Sequence, residues 1–392
     1  MTVHDTTATA TATAAAAPAT PTRRKFFVAA AAAAAPVMAV RAQAPAVAVK
    51  PSTIVMKMQG AWGAKDIFNE MAEEYVKRVN EMAGGRLRIE YLTAGAVVKA
   101  FEITDAVSKG VLDAGHQVAV YWYGKSKVAS LFGSGPITGA NAEQALGWIQ
   151  RGGGMAFYDE LQKKLGNNVK GLFAFPMPTQ PLGWFKNTPP KTAAELKGFK
   201  YRTVGLAADL MQELGMKVTQ LPGGEIVPAM ERGVIDAFEF NNPTSDRRFG
   251  SQDVAKYYSM GSYHQAMEFF EIIFNKTKYD ALPPDLKAIL EYAAEATSSA
   301  NTWTAQDNYS RDLQQLIVKD KVKVSRTSKA IFKAQIEAWD VIVARLEAED
   351  PFFKKVWQSQ KDWARRVAYY GFYNEADYKS AFEHVFKTKL PV

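Results

Sequence analysis

The sequence predicts an α/β protein of two similar lobes, joined by extended crossovers and followed by long C-terminal helices. Three observations predict it. A strand, an amphipathic helix and a second strand follow one another within residues 53–91. A short helix-to-strand pattern then occurs twice, 123 residues apart. Apolar runs suited to extended chain lie between the two copies and after the second.

Taken in order, Thr53 to Gln59 (Thr-Ile-Val-Met-Lys-Met-Gln) opens the folded region as a strand. Lys65 to Ala83 is predicted helical, because Ile67, Met71, Tyr75, Val79 and Met82 recur every three or four residues. Gly84-Gly85 ends it, glycine tolerating the left-handed conformation that follows a helix. Between Arg86 and Tyr91, Leu87, Ile89 and Tyr91 share one face, so a strand is predicted. The repeated pattern comes next. Glu102-Ile103, Ala106-Val107 and Gly110-Val111-Leu112-Asp113-Ala114 are matched by Glu225-Ile226, Ala229-Met230 and Gly233-Val234-Ile235-Asp236-Ala237. The interval from Glu to Gly is eight positions in both copies. Each copy predicts a helix ending on its glycine and leading into a strand that begins Val-Leu/Ile-Asp-Ala. Two copies are too few for a solenoid; they predict two lobes of similar build.

Gly171 to Phe185 is apolar and broken by Pro176, Pro178 and Pro181, which suits a crossover between lobes. Met267 to Asn275 (Met-Glu-Phe-Phe-Glu-Ile-Ile-Phe-Asn) is the predicted return. Pro283-Pro284 opens a helical stretch, proline being favoured in the first turn. Asp285 to Asp320 lacks proline and glycine and can form one or two long helices. Phe332 to Ala348 and Asp350 to Tyr370 continue as helix, with Pro351 marking a start.

The N-terminal segment stands apart. Arg23-Arg24-Lys25 precedes fifteen uncharged, Ala-rich residues, Phe26 to Val40. That run is shorter than the ~20 residues of a spanning helix. A basic stretch, a short apolar run and a small-residue end make an export signal, and paired arginines followed by Phe-Phe resemble the twin-arginine type. Ala42-Gln43-Ala44 fits the cleavage pattern, while Pro45 disfavours a cut directly after it; residues 1–44 are therefore the expected signal, with cleavage at about 44–48. No later segment has ~18 consecutive apolar residues, so a soluble, periplasmic mature protein is expected.

Composition narrows the function. With 47% hydrophobic, 12% aromatic and 22% charged residues, the chain of 392 is globular and neither disordered nor collagen-like. It contains no cysteine, which excludes disulfide scaffolds, thiolate metal sites, iron–sulfur clusters and cysteine nucleophiles. The net charge is +8, and loss of the signal leaves about +5. Acids and bases interleave, as in Glu73-Glu74-Tyr75-Val76-Lys77-Arg78, so no nucleic-acid partner is expected. Enzyme signatures are scarce. His4, His116, His264 and His384 are widely spaced, and no metalloprotease, serine-hydrolase or phosphate-loop pattern is present. Gly152-Gly153-Gly154 reads as a turn. No catalytic residue or catalytic cofactor is predicted.

The informative stretch begins at Leu196-Lys197-Gly198-Phe199-Lys200-Tyr201-Arg202. Phe199 and Tyr201 alternate with basic residues, placing Arg202 near a strand end, where its planar fork can take a carboxylate with two parallel hydrogen bonds. Leu221-Pro222-Gly223-Gly224-Glu225-Ile226 and Gly233-Val234-Ile235-Asp236-Ala237 follow, then Phe238-Glu239-Phe240-Asn241-Asn242-Pro243. In this order the segments resemble the DctP-type solute-binding proteins of TRAP transporters, and within them the branch that takes 2-oxo and 2-hydroxy monocarboxylates. The resemblance runs from about Thr53 to the C-terminal helices and is most specific over residues 196–243.

It implies a two-lobe periplasmic-binding-protein fold around a central cleft. Residues 50–177 and 266–392 would form lobe I with the C-terminal helices, and 178–265 lobe II. It implies a receptor that captures a small organic acid, such as pyruvate, a branched 2-oxoacid or lactate, and delivers it to the small and large membrane subunits of a permease. Arg202 would grip the carboxylate, and Gln180, Tyr121, Asn241 and Gln265 would also contact ligand. A sodium or calcium ion beside the ligand would be held by Gln180, Glu239, the carbonyl of Phe240 and Gln265. Those are hard oxygen donors, suited to such ions and not to zinc. Two departures stand out. Some 2-oxoacid binders have Trp at the position of Phe240 and Glu at that of Gln265, so this chain has one negative charge fewer at the cation; Asp246 could restore it. Tyr121 is favoured over Tyr123 as ligand contact. The C-terminal helices could also pack across a two-fold axis. Two other readings stay open on sequence: a ligand-presenting sensory component, and a periplasmic enzyme acting on carboxylates.

Overall fold

The computed structural model describes residues 52–136 and 138–390, so the expected export signal lies outside the described residues. Among the described residues twelve strands form two sheets. The first contains β1 (Ile54–Gly60), β2 (Leu87–Leu92), β3 (Ala114–Gln117), β4 (Ser134–Gly135), β5 (Val169–Met177) and β11 (Met267–Asn275), in the order β2-β1-β3-β11-β4 with β5 also paired to β11. The second contains β6 (Gly183–Phe185), β7 (Lys200–Arg202), β8 (Lys217–Thr219), β9 (Ala237–Phe238), β10 (Tyr257–Met260) and β12 (Lys323–Arg326), in the order β12-β10-β6-β9-β7-β8.

The repeated pattern has one structure twice over. Helices Ile103–Ser108 and Ile226–Glu231 both end before a glycine with positive φ, Gly110 at 75° and Gly233 at 70°. A residue with a Cβ is strained there, which is why both copies carry glycine. Strands β3 and β9 begin at the alanine after the aspartate, three residues later than expected. The aspartates have identical work: Asp113 accepts from the Lys57 amide at 2.6 Å and Asp236 from the Lys200 amide at 3.3 Å. Each pins its new strand beside a parallel neighbour, β1 or β7.

β5 and β11 are the crossovers, antiparallel over most of their length and joined further by Gln180 N to Gln265 O and Ser262 N to Gln180 O, each at 3.0 Å. Their register shifts between Glu268 and Phe270. Opposite that shift Phe175 takes φ +59°, with its amide held by Ser298 Oγ at 2.9 Å. Such a bulge re-aims the strand end.

One unbroken helix, Pro284–Val318, follows. It packs along β5 and against helix Ile67–Met82, where Tyr75 donates to the Leu290 carbonyl at 3.2 Å. Below it Arg247 of helix Pro243–Arg248 bonds Asp320 at 2.8 Å. The helix thus touches the first sheet through β5 and, through helix Pro243–Arg248, the segment that carries the second. Helices Lys329–Glu349, Pro351–Asn374 and Tyr378–Phe386 complete the chain. β12 was not expected: it falls between two predicted helices, where no element is predicted, yet this mostly exposed four-residue strand pairs in parallel with β10 and ties the C-terminal region to the second sheet. Its residues are mostly polar and too few to show periodicity.

Candidate functional site

Tyr121, Gln180, Arg202, Glu239, Phe240, Asn241 and Gln265 all line one pocket, of about 260 Å³. The fold explains the convergence. Parallel pairing sets Arg202 opposite Phe238, so Glu239 emerges beside the arginine, and Glu239 N donates to Arg202 O at 3.2 Å. The crossover contact described above brings Gln180 and Gln265 together. Tyr121 arrives on the short 3₁₀ turn Ala119–Trp122 after β3 and accepts from Trp62 Nε1 at 3.1 Å.

Arg202 is 1% exposed. Its Nε donates to Leu221 O at 2.9 Å, and its Nη1 to the Glu239 carbonyl at 2.9 Å and carboxylate at 2.8 Å. The guanidinium lies 5.6 Å from the centre of the Phe240 ring. The arginine is therefore rigidly aimed, with Nη2 outside these bonds. Both members of this ion pair are buried, so removing one would strand the other at a cost of about 3–5 kcal/mol. Burial pushes the Glu239 carboxyl up to about 7, against the pull of Arg202.

A second carboxylate stands in the same pocket. Glu268 is 4% exposed and accepts from Asn241 Nδ2. Burial first, and the charge of Glu239 second, hold it well above the usual carboxylate range. Sequence reasoning missed it. The signal was there: a Glu inside the apolar run Met267 to Asn275 must be buried, and a buried carboxylate needs a partner. Asp246, considered for this place, is instead structural; it accepts from Trp184 Nε1 at 2.8 Å and from the Asn241 amide at 3.1 Å. Tyr123 likewise turns away and donates to Asp209 at 2.7 Å. The remaining wall was also missed: Trp62, Phe68, Val204 and Phe270 give the pocket an apolar, mostly aromatic side.

The donor set fits a hard cation. Glu239 and Gln180 present oxygens to one point, and the end of the Gln265 side chain lies 2.6 Å from Glu239 Oε2 and 2.8 Å from Gln180 Oε1. Carboxylate and amide oxygens at such spacing suit sodium or calcium. Among the described residues no group of three or more His, Cys, Asp or Glu could hold a metal ion.

Two separate patches of contacts join helices and loops of the first-sheet region to those of the second. On one, Ser245 Oγ donates to Asp66 at 2.9 and 3.0 Å, and Arg248 Nη1 meets Glu70 at 2.5 Å. Burial pushes Asp66 up to about 7. On the other, Lys127 Nζ meets Asp209 at 2.8 Å, and the Leu206 amide donates to Ser130 Oγ at 3.1 Å. Gly205, at φ +63°, passes so close that a Cβ would sit 1.9 Å from Val120 Cγ2.

Comparison with known proteins gives the family. Residues 58–350 match the family model of bacterial extracellular solute-binding proteins, family 7 (DctP). The chain is 32% identical over 314 residues to a monocarboxylate 2-oxoacid-binding periplasmic protein of Nostoc sp. (strain PCC 7120), covering 79% of this chain and 84% of the relative. Among solved structures it is similar to a TRAP transporter solute-binding protein of Bordetella bronchiseptica RB50 with copurified calcium and picolinate. That likeness has a TM-score of 0.79 and 27% identity, over 86% of this chain and 98% of the other. A TRAP periplasmic solute-binding protein of Pseudoalteromonas atlantica T6c, with bound sodium and pyruvate, gives a TM-score of 0.79 and 28% identity over 84% of this chain and 100% of the other. These relatives bind solutes and are not enzymes, and no helix among the described residues is long and apolar enough to cross a membrane. By the match over residues 58–350 and the identity to the Nostoc protein, the chain is a member of the bacterial extracellular solute-binding protein family 7, the DctP family.

Proposed function

We propose that this protein is the periplasmic receptor of a TRAP transporter and captures a 2-oxo or 2-hydroxy monocarboxylate for delivery to the small and large membrane subunits. The observation that carries the reading is Arg202. It is a buried guanidinium locked by Leu221 and Glu239, and it opens onto a pocket too small for a large solute. The fork takes the acid's carboxylate, Tyr121 and Asn241 hydrogen-bond it, and the wall of Trp62, Phe68, Val204 and Phe270 receives an apolar tail. Gln180, Glu239, the Phe240 carbonyl and Gln265 hold a sodium or calcium ion, with Glu268 supplying charge from across the pocket. Such an ion lowers the electrostatic cost of seating an anion beside Glu239. The bound relatives, with calcium and picolinate or sodium and pyruvate, support this assignment.

Binding works by lobe closure, residues 50–177 and 266–392 forming one side and 178–265 the other, with β12 and its flanking helices bridging back to the second. Ligand favours the closed form by its higher affinity for it. Export uses the twin-arginine-type signal of residues 1–44. The C-terminal helices expose Tyr369, Tyr370, Phe372 and Tyr373, which supports a homodimer through this face. A thermal-shift screen tests the central reading. Pyruvate, branched 2-oxoacids and lactate, each with sodium, calcium or chelator, are compared with C4-dicarboxylates and amino acids. A ligand at 100 times its dissociation constant stabilises by about 2.7 kcal/mol. Stabilisation by a monocarboxylate in wild type but not in Arg202→Ala is expected; stabilisation of both proteins alike, or by amino acids alone, overturns the assignment.

A further inference from the structure

The end of the Gln265 side chain has three oxygens around it: Glu239 Oε2 at 2.6 Å, Glu239 Oε1 at 3.2 Å and Gln180 Oε1 at 2.8 Å. The other end of the same amide lies 2.8 Å from Ser134 Oγ. Amide nitrogen and oxygen have nearly the same shape, so these positions admit two orientations. They are not equivalent in energy. With nitrogen inward, its two hydrogens serve Glu239 and Gln180, and the amide oxygen accepts from the serine hydroxyl. With oxygen inward, acceptor faces acceptor at 2.6 Å, a contact that only a shared proton or a cation can hold.

From this we propose that Gln265 is a cation-gated amide switch. Without a cation its nitrogen faces inward and stands in for the ion, satisfying Glu239 and Gln180. With sodium or calcium bound, the amide turns over, its oxygen joins the coordinating set and its nitrogen donates to Ser134. The inference rests on the cation reading above and goes beyond it.

Every part needed for such a switch is present. The pivot is fixed, because Gln180 N bonds Gln265 O and Ser262 N bonds Gln180 O. The terminal amide torsion is broad and two-fold, so turning it needs no backbone movement. Ser134 serves both states, since a hydroxyl donates to an oxygen or accepts from a nitrogen equally well. Its position is set by the β4 register, in which it pairs with Glu268. A carboxylate at position 265 could not do this: with no donor, it would leave the inner cluster a set of repelling oxygens until a cation arrived. The glutamine therefore gives a site that is internally satisfied when apo and binds its cation less tightly, having two hydrogen bonds to break first.

Two measurements on purified wild type and Gln265→Glu test this, using sodium chloride, calcium chloride and chelator, with and without pyruvate. In ¹⁵N-labelled protein the Gln265 side-chain amide signal, assigned by its loss in Gln265→Glu, should shift on adding calcium or sodium. Its midpoint should match that of cation binding by calorimetry. Gln265→Glu should bind calcium at least tenfold more tightly and melt at a lower temperature than wild type in chelator. An unmoved amide signal while calorimetry registers the ion, or an unchanged calcium affinity in Gln265→Glu, overturns the switch and leaves the receptor reading intact. Pyruvate binding of equal strength in chelator and in calcium removes the cation reading and the switch with it, and leaves Arg202 as the carboxylate receptor. Absence of both cation and acid binding in both proteins removes the switch together with the receptor reading.

Discussion

Two buried acidic centres lie three residues apart on β11, and their surroundings follow opposite rules. Glu271 is saturated with donors: Gln117 Nε2, Trp122 Nε1 and Tyr158 Oη each reach it at 2.7 Å. Glu268, on the opposite face by the odd spacing, looks into the pocket towards Glu239 and receives Asn241. Burial raises both carboxyls, but three donors pull Glu271 back, whereas a second carboxylate drives Glu268 further up. A donor-saturated buried charge is a structural staple. A buried cluster with more acceptors than donors is stable only if something positive joins it, and that excess marks the binding site.

The largest effect should come from breaking the saturated centre. Glu271→Ala orphans three buried donors, so urea unfolding should show a loss of about 3–5 kcal/mol. The folded protein should still bind its acid normally, because Glu271 faces away from the pocket. A large loss of affinity with little loss of stability would reverse the roles given to the two centres.

Next in size is Arg202→Lys. Lysine keeps the charge and loses the fork and its contact with Leu221. Acid affinity measured by calorimetry should fall by about 2–3 kcal/mol, roughly 30- to 150-fold. Stability should fall less than in Glu271→Ala, because Glu239 can take up a proton.

This contrast also explains what was legible in the sequence. The helix-to-strand repeat, both crossovers and the long helix are local patterns, and all three exist as elements. Arg202, Glu239 and Gln180 were legible because they sit at strand ends and crossovers whose order is characteristic. Glu268 was not, since nothing in a single strand says which of two buried glutamates is saturated. That depends on Trp122 and Tyr158, more than a hundred residues away. The aromatic wall was hidden for the same reason: Trp62, Phe68 and Phe270 look like ordinary core residues until the strands are assembled. β12 escaped because four exposed polar residues carry no periodicity.

A third prediction concerns Asp66, which resembles Glu268 in being buried beside another acid, Asp246, yet lies in the contact patch with Ser245. Its folded pKa, about 7, lies above the unfolded 3.8. Its contribution is therefore fully present at low pH and is lost as pH rises through 7. From this group alone, ligand-free stability should drop by about 2–3 kcal/mol between pH 5 and pH 8. Asp66→Asn keeps a side-chain acceptor for the Phe68 amide and cannot titrate, so its unfolding profile should be flatter over that range. A profile as steep as wild type would assign the slope to the pocket carboxylates instead.

The smallest effect belongs to Arg248→Ala, and it sharpens the comparison from the solvent side. Arg248 meets Glu70 at 2.5 Å, but the side chains are 32% and 57% exposed. An ion pair in that setting contributes ~0–1 kcal/mol and is screened by salt. It joins helix Pro243–Arg248 to helix Ile67–Met82 without touching the pocket, so it can act on binding only through the population of the closed form. Arg248→Ala should weaken acid binding by no more than about fivefold, the equivalent of ~1 kcal/mol. The deficit should shrink as ionic strength is raised with choline chloride at constant sodium. Sodium itself cannot serve as the screening salt, because it is a candidate ligand of the acceptor cluster. A deficit that persists at high ionic strength would mean Arg248 acts through buried Asp66, whose carboxyl its positive charge pulls down, and not through the exposed pair.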